Sequence, residues 1–254
     1  MRLSSLHLTA FLTLIASLTM GNFLFIPNFP VLAQTLDTQP RERKSLEIGN
    51  GDILIVGNPS MPSLSPRLGE LPQQLANLPG AEQEALAIAQ LFNTQALIGK
   101  DATKAAVLER MPGARIIHLA TSAIVDKERG MGSALALAPS GNDNGWLTAE
   151  EILNLKLNAD LVVLSGCNTG LGKITGDGVI GLARSFISAG ASSVIVSVGY
   201  VSDEATAFLM TEFYRHLQQK SDKAQALRSA MLATMQKYPN QLDWGAFTLI
   251  GEAQ

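Results

Sequence analysis

Six residues constrain this chain more than any others. Asp160-Leu-Val-Val-Leu-Ser165 is rich in branched side chains, apolar on both faces and bounded by Gly166, the pattern of a central strand buried on both sides. Such a strand needs neighbours in a sheet and helices over each face. The rest of the chain supplies them, because after residue 50 short apolar runs alternate with segments of helical periodicity, the signature of a mostly parallel sheet covered on both faces. Strands are expected at residues 52–56, 96–98, 115–120, 160–165, 192–198 and 244–250. Helices are expected at 81–92, 102–111, 178–189, 202–218 and 221–237, with one more opening at Thr148 and Glu151 and ending near Leu155. Thr148 and Glu151 form a Thr-x-x-Glu capping box; Ser202 is a cap, and Gly190 is a stop for the 178–189 helix. Residues 59–79 carry five prolines and read as a loop. The fold class is thus α/β: about six strands, mostly parallel, with helices on both faces.

At 254 residues, 46% hydrophobic and 16% charged, the chain can bury a full core. The formal net charge of -3 gives no footprint for nucleic acid, which is bound by clustered Lys and Arg. The single cysteine, Cys167, makes an intramolecular disulfide or a cysteine-based zinc cluster impossible. No metal site and no cofactor are expected.

The amino terminus differs from the rest. Arg2 precedes an apolar run with no Asp, Glu, Lys or Arg through residue 26, and Val31-Leu-Ala33 presents small residues to a signal peptidase. Residues 1–33 are therefore read as a cleaved secretory signal, exporting the protein to the periplasm or the extracellular space. The competing reading is an uncleaved membrane anchor. Ser, Thr and Asn dilute the run, and Pro27 and Pro30 interrupt it. Polar residues 34–50 read as a linker, leaving residues 51–252 as one domain.

Cys167 lies just past the carboxyl end of the best strand, in Ser165-Gly-Cys-Asn-Thr-Gly170, where open α/β sheets place reactive groups. The competing reading is a small buried hydrophobe. A free thiol with pKa of about 8.5 needs a neighbouring base or cation to become a thiolate at neutral pH. Gly176-Asp-Gly-Val-Ile-Gly181 fits G-x-G-x-x-G, yet it follows its strand only after a long loop, and the next strand offers no acid for a ribose, so no dinucleotide is expected. Asp203 and Glu204 read as complements to a helix dipole.

Several motifs together resemble one family. Leu78-Pro-Gly-Ala-Glu-Gln-Glu84, Ala114-Arg-Ile-Ile-His-Leu-Ala-Thr121, Leu147-Thr-Ala-Glu-Glu-Ile152, the stretches 161–172 and 176–198, and Trp244-Gly-Ala-Phe-Thr-Leu-Ile-Gly251 resemble the CHAT family of caspase-like domains. The resemblance covers nearly all of residues 50–252 in order. It implies a caspase/separase-type three-layer sandwich and, in active members, cysteine peptidase chemistry from a histidine–cysteine dyad. Cys167 matches the nucleophile, with Gly166 and Asn168 flanking it. The dyad histidine of the family stands in a Thr-His-Gly pattern, whereas the matching residues here are Thr121, Ser122 and Ala123.

A serine cannot do the work of that imidazole, which takes the thiol proton and returns one to the leaving amine, a role worth roughly 10²–10⁴ in rate. Ala123 keeps an amide for an oxyanion hole but lacks the φ freedom of glycine. His118 lies four residues earlier on the strand, with its Cα about 13 Å from that of Ser122, and reads as a hydrogen-bonded structural residue near the site. The expectation is a pseudo-peptidase that binds peptides or proteins; the alternatives are an active endopeptidase with Cys167 and an unidentified base, or a truncated relic of a repeat-containing protein.

Overall fold

The computed structural model describes residues 53–64, 71–124, 133–166, 176–199, 201–219 and 222–253, with side chains from residue 179 onward in the helix that begins at 176. All of them fall within the compact unit Arg43–Gln254. The segment read as a signal and the whole linker lie outside the described residues, as do Cys167 and Asn168. Among the described residues no helix is long and apolar enough to cross a membrane.

The chain enters through β1 (Ile53–Pro59), makes a small β2 (Ser63–Leu64) and β3 (Gln73–Gln74) pair, and turns into α1 (Pro79–Leu91). It continues through β4 (Leu97–Gly99), α2 (Lys104–Arg110), a 3-10 turn at Met111–Gly113 and β5 (Ile116–Ala120). Three short strands follow, β6 (Ala123–Ile124), β7 (Ala134–Ala136) and β8 (Trp146–Thr148), then α3 (Ala149–Leu153) and β9 (Leu161–Ser165). The last part is α4 (Gly176–Ala189), β10 (Ser193–Ser197), α5 (Asp203–Gln218), α6 (Lys223–Lys237), α7 (Gln241–Gly245) and β11 (Phe247–Gly251).

The main sheet has the order β11-β10-β9-β5-β1-β4. All its pairings are parallel except β10 with β11, so β9 is central, as its doubly apolar sequence requires. Alternation along each strand splits the core into two layers. Val162, Leu164, Val194 and Val196 pack with Val107, Ile152 and Phe186 on one face. Val163 and Ile195 pack with Ile88, Leu209, Met210 and Phe213 on the other. Helices α2, α3 and α4 thus cover one face and α1, α5 and α6 the other, making three layers.

Local sequence explains the boundaries. Ser202 accepts the amide of Ala205 and starts α5, Asp222 accepts that of Gln225 and starts α6, and Thr148 with Glu151 makes the reciprocal capping box of α3. One expectation needs correcting. The stretch 244–250 is not strand throughout: Asn240 caps a short helix through Gly245, its side chain accepting the Leu242 amide, and the strand starts only at Phe247. The antiparallel β6-β7-β8 sheet, absent from the sequence reading, sits where the chain leaves β5.

Lys104 ties this small sheet to the helices. Its Nζ lies 2.9 Å from Asp143 Oδ2 and 2.9 Å from Glu151 Oε1, and donates to the Trp146 carbonyl at 3.1 Å. Burial opposes the charge on Lys104, but the hydrogen bonds to Glu151 and Asp143 outweigh it and raise its pKa above 10.5. Burial likewise works against the two carboxylates, yet Lys104 and local backbone amides hold Asp143 below 3.8 and Glu151 below 4.5. The carboxylates therefore add stability above those ordinary values, which is lost as pH falls through the lower folded values; the lysine's share is lost as pH rises through its raised one. Lys104→Met is expected to flatten the acid limb of a stability profile measured between about pH 2 and 5. The effect is modest because both carboxylates are part-exposed and screened. An unchanged acid limb would show that the cluster contributes nothing.

Candidate functional site

The carboxyl edges of β5 and β9 bring Ser122, Ala123 and Gly166 to one place, while Cys167 and Asn168 lie outside the described residues. Ile116–Ala120 pairs in register with Leu161–Ser165, and beyond that pairing the Thr121 amide donates to the Ser165 carbonyl at 3.1 Å. The Thr121 hydroxyl donates to the Ala136 carbonyl at 2.7 Å, while the Ala136 amide donates to the Ser122 carbonyl at 2.8 Å. The turn at Thr121 and Ser122 is thus held between the central strand and β7. Ser122 is only 5% exposed and Ala123 is fully buried, so Ala123 is the first residue of a strand rather than part of an open loop.

Gly166 closes β9 with φ at +82°, and a Cβ placed there would stand 3.6 Å from the Thr121 amide and carbonyl. Space permits a side chain; the backbone conformation favours glycine. The structure therefore places Ser122, Ala123 and Gly166 at one edge, with Gly166 leading toward Cys167.

His118 is held elsewhere. It is fully buried on β5, with Nδ1 3.1 Å from the Tyr214 hydroxyl of α5 and Nε2 2.9 Å from Glu84 Oε1 of α1. That second contact is close without being aligned as a hydrogen bond, and neither atom has another partner. Burial, with the Glu84 charge adding to it, pushes the Tyr214 phenol well above 10.0, so the hydroxyl keeps its proton. Both ring nitrogens of His118 face groups of the covering helices, Glu84 of α1 and Tyr214 of α5. Glu84 and Tyr214 were not singled out from the sequence; an acid on the apolar stripe Ala81, Ala85, Ile88 of α1 was the available signal.

The two decoys resolve structurally. Gly176-Asp-Gly-Val-Ile-Gly181 opens α4, and Asp203 and Glu204 occupy the first turn of α5, where Glu204 accepts the Tyr238 hydroxyl at 3.0 Å. Among the described residues no group of three or more His, Cys, Asp or Glu is placed to hold a metal.

Comparison with known proteins adds the family. The CHAT domain family model matches residues 16–252. The chain belongs to the CHAT family. Over 238 residues this CHAT protein is 29% identical to tetratricopeptide repeat protein 28 of Mus musculus, covering 78% of this chain and 9% of that protein; it spans less than a tenth of that relative. Among solved structures, the complex of the pro- and mature domains of Porphyromonas gingivalis RgpB gives a TM-score of 0.50 at 11% identity, covering 80% of this chain and 47% of that one. The Arg specific cysteine proteinase gingipain R (RGPB) gives 0.49 at 11% identity, covering 80% and 46%. The CHAT domain here has the caspase-like α/β sandwich that its motifs implied. At such low identity the structural likeness speaks to fold alone.

Proposed function

We propose that this CHAT domain is a pseudo-peptidase, which binds a peptide or protein partner along the carboxyl edge of β5 and β9 and does not cleave it. What carries the reading is that the histidine nearest in sequence to Ser122, His118, is already engaged in the core. Ser122 stands where the family has its dyad histidine, and a serine hydroxyl does not take up a proton near neutral pH. His118, on the adjoining strand, is committed to Glu84 and Tyr214 and is not free to serve as the base. In this reading Cys167 marks the vestigial nucleophile position, Gly166 and Asn168 shape its loop, and Ala123 replaces the family glycine. The carboxyl ends of the strands are where open α/β sheets bind their ligands. The proposal extends to an exported protein, with residues 1–33 removed, 34–50 a linker and 51–252 the working domain. The family match reaches back to residue 16, into the segment read as the signal.

The test is Ser122→His in the chain with and without Cys167→Ala, assayed against a peptide library. The parent is expected to bind peptides without turning them over. Ser122→His is expected to bring Cys167-dependent hydrolysis up by about 10²–10⁴ over the parent rate. Cys167-dependent hydrolysis by the parent itself at a comparable rate would overturn the proposal in favour of a peptidase using another base.

A further inference from the structure

Three hydroxyls in the core lack partners. Ser165, Ser197 and Thr206 are 0%, 0% and 2% exposed, and among the described residues none of Ser165 Oγ, Ser197 Oγ and Thr206 Oγ1 has a hydrogen-bond partner. Buried polar groups in folded proteins are satisfied in the great majority of cases, by protein or by ordered water.

The sheet register puts the three together. Ile195 pairs with Val163 and Val196 with Leu164, so one step further Ser197 stands beside Ser165, with Cα atoms about 4.8 Å apart. Both serines face the layer that contains Val163 and Ile195, the layer covered by α5. The level of Thr206 follows from α1. Gly57, Ala120 and Ser165 share one register row, and a Cβ on Gly57 would lie 2.3 Å from Ala85 Cβ and 2.6 Å from the Ala81 carbonyl. The row therefore sits at the height of residues 81–85 of α1. A Cβ on Gly80 would lie 2.2 Å from Asp203 Cβ, which sets α1 and α5 side by side and brings Thr206, one turn below Asp203, to the same height. The floor of the row is Gly57 and Ala120. Helix α1 closes down on Gly57, while α5 faces the two serines with a hydroxyl.

We propose that Ser165, Ser197 and Thr206 enclose an internal hydration site that binds ordered water, one or two molecules, between β9, β10 and α5. Water matches the chemistry. Each hydroxyl both donates and accepts, and a buried water needs two to four polar partners. An anion is disfavoured by Asp203 and Glu204 in the first turn of α5, and a cation finds no carboxylate among the three. Because Ser165 directly precedes Gly166, the water would bind the end of β9 where the chain departs toward Cys167.

Thr206→Val keeps the shape and removes the hydroxyl. In a high-resolution crystal structure of the parent, water density is expected within about 3 Å of at least two of the three hydroxyls. In Thr206→Val that density is expected to weaken or vanish, and the urea midpoint to fall. A parent site with no density overturns the proposal. So does a raised or unchanged midpoint, because exchanging an unsatisfied hydroxyl for a methyl is neutral or stabilising. Long-lived internal water counted by oxygen-17 relaxation dispersion on the parent keeps the test decisive if the variant folds poorly: such water must be present for the proposal to stand.

Discussion

His118→Leu is expected to destabilise the domain by about 3–5 kcal/mol at pH 7, more than Glu84→Gln does, although both changes break the same contact. The asymmetry comes from what each leaves behind. Removing the imidazole strands the Glu84 carboxylate, 1% exposed, with no partner for Oε1. Removing one partner of a buried contact of this kind leaves the other polar group uncompensated in the core, the costlier of the two losses. Glu84→Gln strands an imidazole instead. A neutral amide of the same length stays beside its Nε2, so the loss is expected to be about 1–2 kcal/mol.

For a domain of this size the His118→Leu change corresponds to a fall in Tm of about 10 °C. Adding Glu84→Leu to His118→Leu is expected to recover stability, because the buried carboxyl that lost its partner is then gone too. Equal losses for His118→Leu and Glu84→Gln at pH 7 would show that a stranded Glu84 carboxyl costs the core no more than a stranded imidazole. Tyr214 is the third partner, and its hydroxyl would lose Nδ1 in the same substitution.

The features legible in the sequence are those whose causes are local. The branched run before Gly166 became the central β9 because a strand apolar on both faces has nowhere else to go. Thr148, Glu151 and Ser202 start their helices at the residues their side chains indicate, since a cap is decided within four residues. Features set by distant partners were not legible. The β6-β7-β8 sheet is built from strands of two and three residues, too short to show a period, and it exists because Ala136 meets Ser122 across the fold. Trp244-Gly-Ala-Phe looked like strand because it is apolar, yet the Asn240 cap bends its first part into helix. At the site, the placement of Ser122 could be read from the order of motifs. What occupies His118 could not, because Tyr214 is 96 residues away in sequence.

Gly190→Ala is expected to cost about 3–5 kcal/mol, from two contributions that act at the same atom. Gly190 follows α4 with φ at +117°, a conformation that holds a side chain only under strain, worth about 1–3 kcal/mol. The added Cβ would also lie 2.2 Å from the Leu157 carbonyl oxygen and 3.1 Å from its carbon. Those are backbone atoms, so relief requires moving a chain segment, at about 1–3 kcal/mol for overpacking. The segment is poorly placed to move: the Leu157 amide donates to the Ala189 carbonyl at 2.7 Å, and the Gly190 and Ala191 amides close the helix on Ile187 and Phe186. Gly113 offers the control. A Cβ there meets nothing within 4 Å and its φ is not positive, so Gly113→Ala is expected to change stability by no more than about 0.5 kcal/mol. Equal unfolding midpoints for the two variants would mean that the approach of Leu157 to the end of α4 is not a fixed feature of the fold.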